Sequence, residues 1–208
     1  MTKVLKLSLM GPLSITIDQK PVRDLTSGKA QALLCYLAVS GRRHSRQALA
    51  GLLWGDLPEP DARRNLRGVV MKLREDLEPY LVVSHQSLSF NRRSDYSLDV
   101  EQFFALTGRV ADNRATADNL RQAVLLYRGD FLEDFHVRQA SAFEEWVGQQ
   151  RAELRTAVFS ALQTLTAVSL QSTAYDEGIG YARRLLALEP ADEAAHRQLM
   201  RLLALSGQ

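Results

Sequence analysis

One helix in the first half of the chain constrains the fold more than any other feature. The segment Pro60–Pro79, PDARRNLRGVVMKLREDLEP, is bounded by prolines and repeats apolar residues at helical spacing. Its apolar face consists of Leu66, Val69, Val70, Leu73 and Leu77. On or toward the other side lie Arg64, Arg67, Gly68, Met71 and Lys72. Such a helix can pack into a small domain and still present guanidinium groups outward, which is the combination that DNA reading in the major groove requires.

The composition predicts a soluble cytoplasmic protein with one large domain or two small ones. The chain has 208 residues, of which 46% are hydrophobic, enough for a sizeable core. No apolar run approaches the roughly 20 residues that span a bilayer. The alternating start MTKVLKLSLMG lacks the continuous apolar core of a signal peptide. Because Cys35 is the only cysteine, an internal disulfide and a Cys-based zinc site are excluded.

Charge is distributed unevenly along the chain. Residues 1–98 hold 15 Lys+Arg and 9 Asp+Glu, a net charge of +6, whereas residues 99–208 hold 11 and 15, a net charge of −4. A basic half joined to an acidic half suggests a polyanion binder fused to a second module. Solvated faces alone also produce a split of this size.

The elements predicted for the basic half follow the order of a winged helix. The predicted elements are strands Val4–Met10 and Leu13–Asp18, a helix capped by Thr26 or Ser27 that runs to about Ser40, helices Arg46–Trp54 and Pro60–Pro79, and strands Leu81–Val83 and Leu88–Phe90. Ser45 is the predicted N-cap of the second helix, and Gly41 ends the first. In a winged helix the third helix enters the major groove, and the final hairpin approaches the DNA backbone or the minor groove.

The acidic half has almost only helical periodicity. The predicted helices are Ala117–Tyr127, about Ser141 to Leu170, Tyr175–Leu188 and Ala191–Leu205. The last two, with the residues after them, cover 34 residues, the length of a tetratricopeptide unit. The last helix is apolar and nothing follows it, so we expect either a fragment of a longer protein, truncated at its C-terminal end, or packing on another copy.

Five segments carry a resemblance to a known family. They are LTSGKAQALLCYLA (Leu25–Ala38), ALAGLLWGDLPEPDARRNLRGVVMKLREDL (Ala48–Leu77), LYRGDFLEDF (Leu126–Phe135), FEEWVGQQRAELR (Phe143–Arg155) and ARRLLALEPADEAAHRQLMRLLALSGQ (Ala182–Gln208). In this order they resemble the Streptomyces antibiotic regulatory protein (SARP) type of transcriptional activator. The resemblance runs nearly from end to end. It implies a mainly α fold with a small β part: an OmpR-like winged helix-turn-helix over residues 1–98, then a tetratricopeptide-like bacterial transcriptional activation domain over residues 99–208.

The resemblance also implies a function and its partners. Activators of this type bind direct repeats near promoters through the third helix, here Asp61–Leu77, and recruit RNA polymerase. By position, the polymerase-facing loop maps to about Trp54–Glu59, with Asp56, Leu57 and Glu59 as its candidate residues. We therefore expect a cytoplasmic, nucleoid-associated bacterial activator that acts as a homodimer or as tandem copies on DNA, without a cofactor.

The candidate base-reading residues are Arg64, Asn65, Arg67 and Lys72. Arginine can donate two hydrogen bonds to guanine O6 and N7, and asparagine can read adenine by similar geometry. The alternative for each is an ordinary solvated helix face. Lys72 and Arg74 also fit phosphate contacts. Arg63 and Arg74 lie nearer the apolar edge, where Arg74 can pair with Glu75 or Glu78 across a turn.

A second set of candidates surrounds the second helix and the hairpin. The candidate phosphate and wing contacts are Arg42, Arg43, His44, Ser45, Arg46, His85, Gln86, Arg92 and Arg93. A helix N-terminus with basic neighbours is a ready phosphate site. The alternatives are a charged loop with an ordinary serine cap and a solvated hairpin.

No pattern in the chain predicts an enzyme. The four histidines are scattered without metal-ligand spacing, and no serine lies in a GxSxG elbow. The remaining alternative is an adaptor in which the helical half binds a partner and the winged helix is a docking surface. A docking surface would not require Arg64, Arg67 and Lys72 together on the open side of one helix.

Overall fold

The computed structural model describes residues 3–22, 25–108 and 116–207. The first half contains strands β1 (Leu5–Ser8), β2 (Ser14–Ile17) and β3 (Lys20–Pro21), helix α1 (Gly28–Ser40), strand β4 (His44–Ser45), helices α2 (Arg46–Trp54) and α3 (Glu59–Leu77), a 3₁₀ turn (Glu78–Tyr80), and strands β5 (Leu81–Val83), β6 (Ser87–Phe90) and β7 (Tyr96–Leu98). The second half contains helices α4 (Asp99–Leu106), α5 (Ala117–Leu126), α6 (Ser141–Gln171), α7 (Tyr175–Leu188) and α8 (Glu193–Ser206).

Two small sheets frame the first three helices. The four-stranded sheet has the order β3-β2-β1-β7, with β1 antiparallel to β2 and parallel to β7. Leu5 and Leu7 of β1 are fully buried while Lys6 between them is exposed, the alternation expected of a half-buried strand. The three-stranded sheet has the order β4-β6-β5 and contains the predicted hairpin. The β7 strand was not predicted.

Local signals set the ends of α1 and α2. Gly41 follows α1 with φ of 64°, a left-handed conformation that glycine adopts without steric cost. Ser45 precedes α2, and its Oγ accepts a hydrogen bond from the backbone N–H of Ala48 at 3.1 Å. The predicted cap of α2 is therefore confirmed. Ser27 precedes α1, but its hydroxyl makes no capping hydrogen bond.

Helix α3 packs through four of the five residues of the predicted stripe, because Val69 is only partly buried, and Ala62 is buried in addition. Its buried residues are Ala62, Leu66, Val70, Leu73 and Leu77. The helix begins at Glu59, one residue before the predicted start, with a proline in its first turn, where the missing N–H has no intrahelical partner anyway. These strands, three helices and hairpin form the predicted N-terminal winged helix, and the mainly α fold with a small β part is confirmed.

The chain divides into two compact units that are not consecutive in sequence. The first comprises residues 1–101 and 129–150, and the second comprises residues 102–128 and 151–208. In the first unit, Trp146 at the start of α6 packs edge-on against Tyr36 of α1, with ring centroids 4.9 Å apart. The division between residues 98 and 99 stays a prediction.

In the second unit, α7 and α8 form the predicted helical pair. Ile179, Ala182 and Leu202 make its small buried core. A Cβ on Gly178 would lie 2.9 Å from Leu202 Cδ2 and 3.1 Å from Ser169 Cβ, so glycine permits the close approach of α7 to both α6 and α8. In the described ranges, no helix is both long and apolar enough to cross a membrane.

Candidate nucleic-acid interface

A groove of about 620 Å³ lies between α3, the start of α2 and the β5–β6 hairpin. Its lining combines polar and charged side chains with an apolar floor. The polar and charged residues are Ser45, Arg46, Gln47, Arg63, Arg67, Arg74, His85 and Gln86. The apolar ones are Leu66, Val70, Met71 and Val83. Residues from three separate parts of the sequence therefore meet on one surface that carries four arginines.

Helix α3 presents three of these arginines because of its rotation on the core. Arg63, Arg67 and Arg74 follow one another by four and seven residues, so they share one side of the helix. Arg63 pairs with Glu59 at 2.5 Å, and Arg74 with Glu78 at 2.5 Å. Both pairs are exposed, and exposed pairs contribute about 0–1 kcal/mol, so an anionic ligand can replace either carboxylate.

The four predicted base readers separate into two groups. Arg67 lies in the groove, and its guanidinium has no ion-pair partner among the described residues. Arg64 and Lys72 are exposed and Asn65 is partly buried, and none of these three lines the groove. Arg64 pairs with Asp61 at 2.9 Å. Sequence reasoning assigned Arg63 and Arg74 to structural roles, but both line the groove while they also make surface ion pairs.

The start of α2 is tied to the hairpin by Arg46. Its Nε and Nη2 atoms donate hydrogen bonds to the carbonyl of Ser84 at 3.1 and 3.0 Å, and its backbone N–H donates to the carbonyl of Gln86 at 3.0 Å. Ser45 caps the helix beside it, while Arg42 and Arg43 are exposed in the preceding loop. The groove therefore contains a helix N-terminus, a guanidinium group and the hairpin turn, an arrangement suited to an anion.

Two members of the predicted phosphate set have other partners. His44 is only 7% exposed, and its Nε2 atom lies 2.7 Å from Ser40 Oγ. Burial, followed by the nearby Arg42 charge, lowers the pKa of this imidazole. Arg92 donates to Glu101 Oε1 at 2.7 Å and to the carbonyl of Ala38 at 3.3 Å. His44 is buried, Arg92 is paired with Glu101, and neither side chain lines the groove, so the proposal below does not use them as phosphate contacts.

Arg93 and the loop before α3 lie outside the groove lining. Arg93 is exposed, near the end of β6 that is remote from the hairpin turn. Asp56 and Leu57 are exposed in the loop, and Leu57 retains 41% of its accessible surface. Glu59 is exposed and pairs with Arg63. Trp54 before the loop is buried, as predicted, with Lys29 Nζ 5.3 Å from its ring centre.

A family profile identifies the second half of the chain. The profile described as "Bacterial transcriptional activator domain" matches residues 98–208, more than half of the sequence. The chain belongs to this family. Membership confirms the sequence-based identification of a SARP-type transcriptional activator whose helical half is the activator domain. No curated protein matches the chain.

One solved structure resembles this chain over nearly the whole length of the chain. It is Mycobacterium tuberculosis EmbR in complex with a low affinity phosphopeptide, with a TM-score of 0.71 and 24% sequence identity. The match covers 99% of this chain but 56% of the EmbR chain. The likeness therefore concerns the fold, and the activator spans little more than half of that protein's length.

Proposed function

We propose that this activator binds promoter DNA through α3 and the groove beside it. The observation that carries the proposal is the gathering of Arg46, Arg63, Arg67 and Arg74 around one apolar-floored groove, next to the N-terminus of α2. A DNA strand carries a phosphate at every nucleotide, and guanidinium groups and helix N-termini are the usual protein partners of phosphate. The basic net charge of residues 1–98 supports the same ligand.

The arrangement suggests how contacts are shared on the duplex. Helix α3 lies in the major groove, where Arg64 and Arg67 read base edges, with Asn65 and Lys72 as further candidates. Arg46, Ser45 and the exposed Arg42 and Arg43 contact phosphates. His85 and Gln86 at the hairpin turn follow the neighbouring backbone. The phosphate contacts fix the position of the protein on the duplex, whereas the base contacts give sequence preference.

Activation requires a second partner, which we propose to be RNA polymerase. Asp56 and Leu57 lie in the exposed loop that leads into α3, and Glu59 is the exposed first residue of that helix; none of the three lines the groove. An acidic and apolar loop is free to meet another protein while α3 is on DNA. Two copies bound to a direct repeat, as a homodimer or as tandem monomers, would present two such loops.

Selection of bound sequences from random DNA tests the proposal. We expect an enriched site, and the spacing and orientation of its repeats show whether two copies bind head-to-tail or symmetrically. Retardation of the selected duplex should weaken steeply with salt, with a log–log slope of about −0.9 per neutralised phosphate. Absence of DNA binding by the intact chain at low salt would overturn the proposal and favour the adaptor alternative.

A further inference from the structure

Gly68 occupies an exposed position in the middle of α3 that the fold does not explain. A Cβ added there would meet no atom within 4 Å, so no neighbouring element requires a glycine. A glycine inside a helix is destabilising relative to alanine, because its backbone loses more freedom on folding. Gly68 is not at a cap, since α3 extends from Glu59 to Leu77. Packing within the molecule therefore leaves the surface over Gly68 open to a contact from outside.

Met71 lies one turn after Gly68 on the same exposed surface. It retains 70% of its accessible area, so its thioether side chain is open to a ligand. Residues three apart on a helix are neighbours, so the missing side chain of Gly68 leaves the surface beside Met71 open. Met71 also lines the groove together with Arg67 and Arg74. An apolar group thus stands among guanidinium groups, which favour an anionic ligand over an apolar protein surface.

We infer that Met71 contacts the 5-methyl group of a thymine in the major groove, and that Gly68 gives α3 the clearance to approach that base pair. The inference rests on the proposed DNA binding and adds a specificity determinant to it. The thymine methyl is the apolar feature of the major-groove edges, and apolar side chains read it. Methionine suits the contact because its unbranched side chain adapts to the position of the methyl group.

Duplexes that differ by a single methyl group test the contact. In the site selected from random DNA, each thymine is replaced in turn by deoxyuridine, which keeps base pairing and removes only the methyl. We expect at least one replacement to weaken binding by about fourfold, the effect of one buried methyl group. Met71→Ala should bind the thymine and deoxyuridine duplexes equally. Met200→Ala, at another exposed methionine on α8, should discriminate like the wild type.

Alanine at Gly68 tests the clearance. Gly180 of α7 is a matched control, because it is exposed in a helix and its Cβ would also meet nothing within 4 Å. Both Gly68→Ala and Gly180→Ala should raise the Tm, by about 2–4 °C for a chain of this size. Only Gly68→Ala should weaken retention of the selected duplex. A more stable variant with poorer DNA binding distinguishes clearance from damage to the fold.

The outcomes separate this inference from the proposed function. If the wild type selects no DNA, the proposed function fails and the inference fails with it. The inference alone is overturned if the wild type binds its site but every deoxyuridine duplex binds equally well, or if Met71→Ala keeps the wild-type preference for thymine. Unchanged DNA affinity in Gly68→Ala would overturn the clearance role.

Discussion

The guanidinium group of Arg46 donates two hydrogen bonds to the backbone carbonyl of Ser84, at 3.1 and 3.0 Å. The link joins the first turn of α2 to the turn of the β5–β6 hairpin, 38 residues later in the chain. The link connects the α2 side of the groove to the hairpin side, and the same guanidinium group can also pair with a phosphate. Arg46 is thus both a part of the proposed DNA surface and a positioning residue for the hairpin.

Replacement of Arg46 should weaken binding to all DNA sequences about equally. Arg46→Ala removes a charge near the phosphates and frees the hairpin turn, and neither effect depends on base sequence. The affinities for the selected duplex and for a scrambled duplex are measured by gel retardation over a series of salt concentrations. For both duplexes, the slope of log affinity against log salt should be smaller in magnitude by about 1 than for the wild type. Arg46→Lys keeps the charge but not the paired hydrogen bonds, so it should keep the salt slope. Loss of binding to the selected duplex alone would contradict this role.

Arg64 and Arg67 should instead affect the choice of sequence. Arg64→Ala or Arg67→Ala should reduce discrimination between the selected and scrambled duplexes by about 1–3 kcal/mol, the range for a paired contact to guanine. Arg201→Ala, at an exposed arginine of α8, is the control and should change neither affinity. If Arg64→Ala and Arg67→Ala each weaken binding to the selected and the scrambled duplex by the same factor, these arginines contact phosphates instead of bases.

The loop before α3 should affect transcription without affecting DNA binding. Asp56→Asn combined with Leu57→Ala removes a charge and an exposed apolar group outside the groove. We expect unchanged retardation of the selected duplex and a reduced transcript yield with purified RNA polymerase. Glu59 is kept, because its pairing with Arg63 connects it to the groove. Full transcript yield from the double variant would rule out the loop as the polymerase contact.

The burial of His44 should make the fold sensitive to mild acid. Since burial lowers the pKa of the folded imidazole, the unfolded chain binds a proton more readily. The stability that neutral His44 contributes is complete above its ordinary pKa of about 6.5 and is lost as the pH falls through that value toward the folded pKa. Tm values between about pH 7.5 and 5 should fall more steeply for the wild type than for His44→Gln. Parallel pH profiles would show that another group is responsible.

Leu202 should dominate the stability of the second compact unit. It is fully buried in the small core of α7 and α8, whereas Leu205 on the same helix is 48% exposed. Leu202→Ala should lower the free energy of unfolding by about 2–5 kcal/mol, because it leaves a cavity. Leu205→Ala should lower it by no more than about 0.5 kcal/mol. Urea unfolding followed by circular dichroism measures both, and equal effects would contradict the packing of this pair.

Elements with local signals were predicted closely, and elements with distant partners were not. The bounds Arg46–Trp54 and Tyr175–Leu188 agree with the structure, because periodicity and flanking residues lie within the segment itself. In contrast, β7 is three residues long and pairs with β1, which lies about 90 positions earlier. Asp99 after it accepts hydrogen bonds from the backbone N–H groups of Leu9 and Met10, at 2.7 and 3.0 Å. No local pattern encodes such contacts.

The amino-acid sequence by itself determined most of the helices, the Ser45 cap of α2 and the order of a winged helix, because turn residues and apolar spacing act over a few positions. It also determined that one face of α3 carries arginine. Only the tertiary structure decided which arginines line the groove. The rotation of α3 is set by packing of Leu66 and Val70, and the opposite wall is a hairpin held by Arg46. The sequence also did not distinguish buried His44 from its exposed neighbours, because its burial depends on the packing of Tyr36 against its ring and on the pairing of β4 with β6.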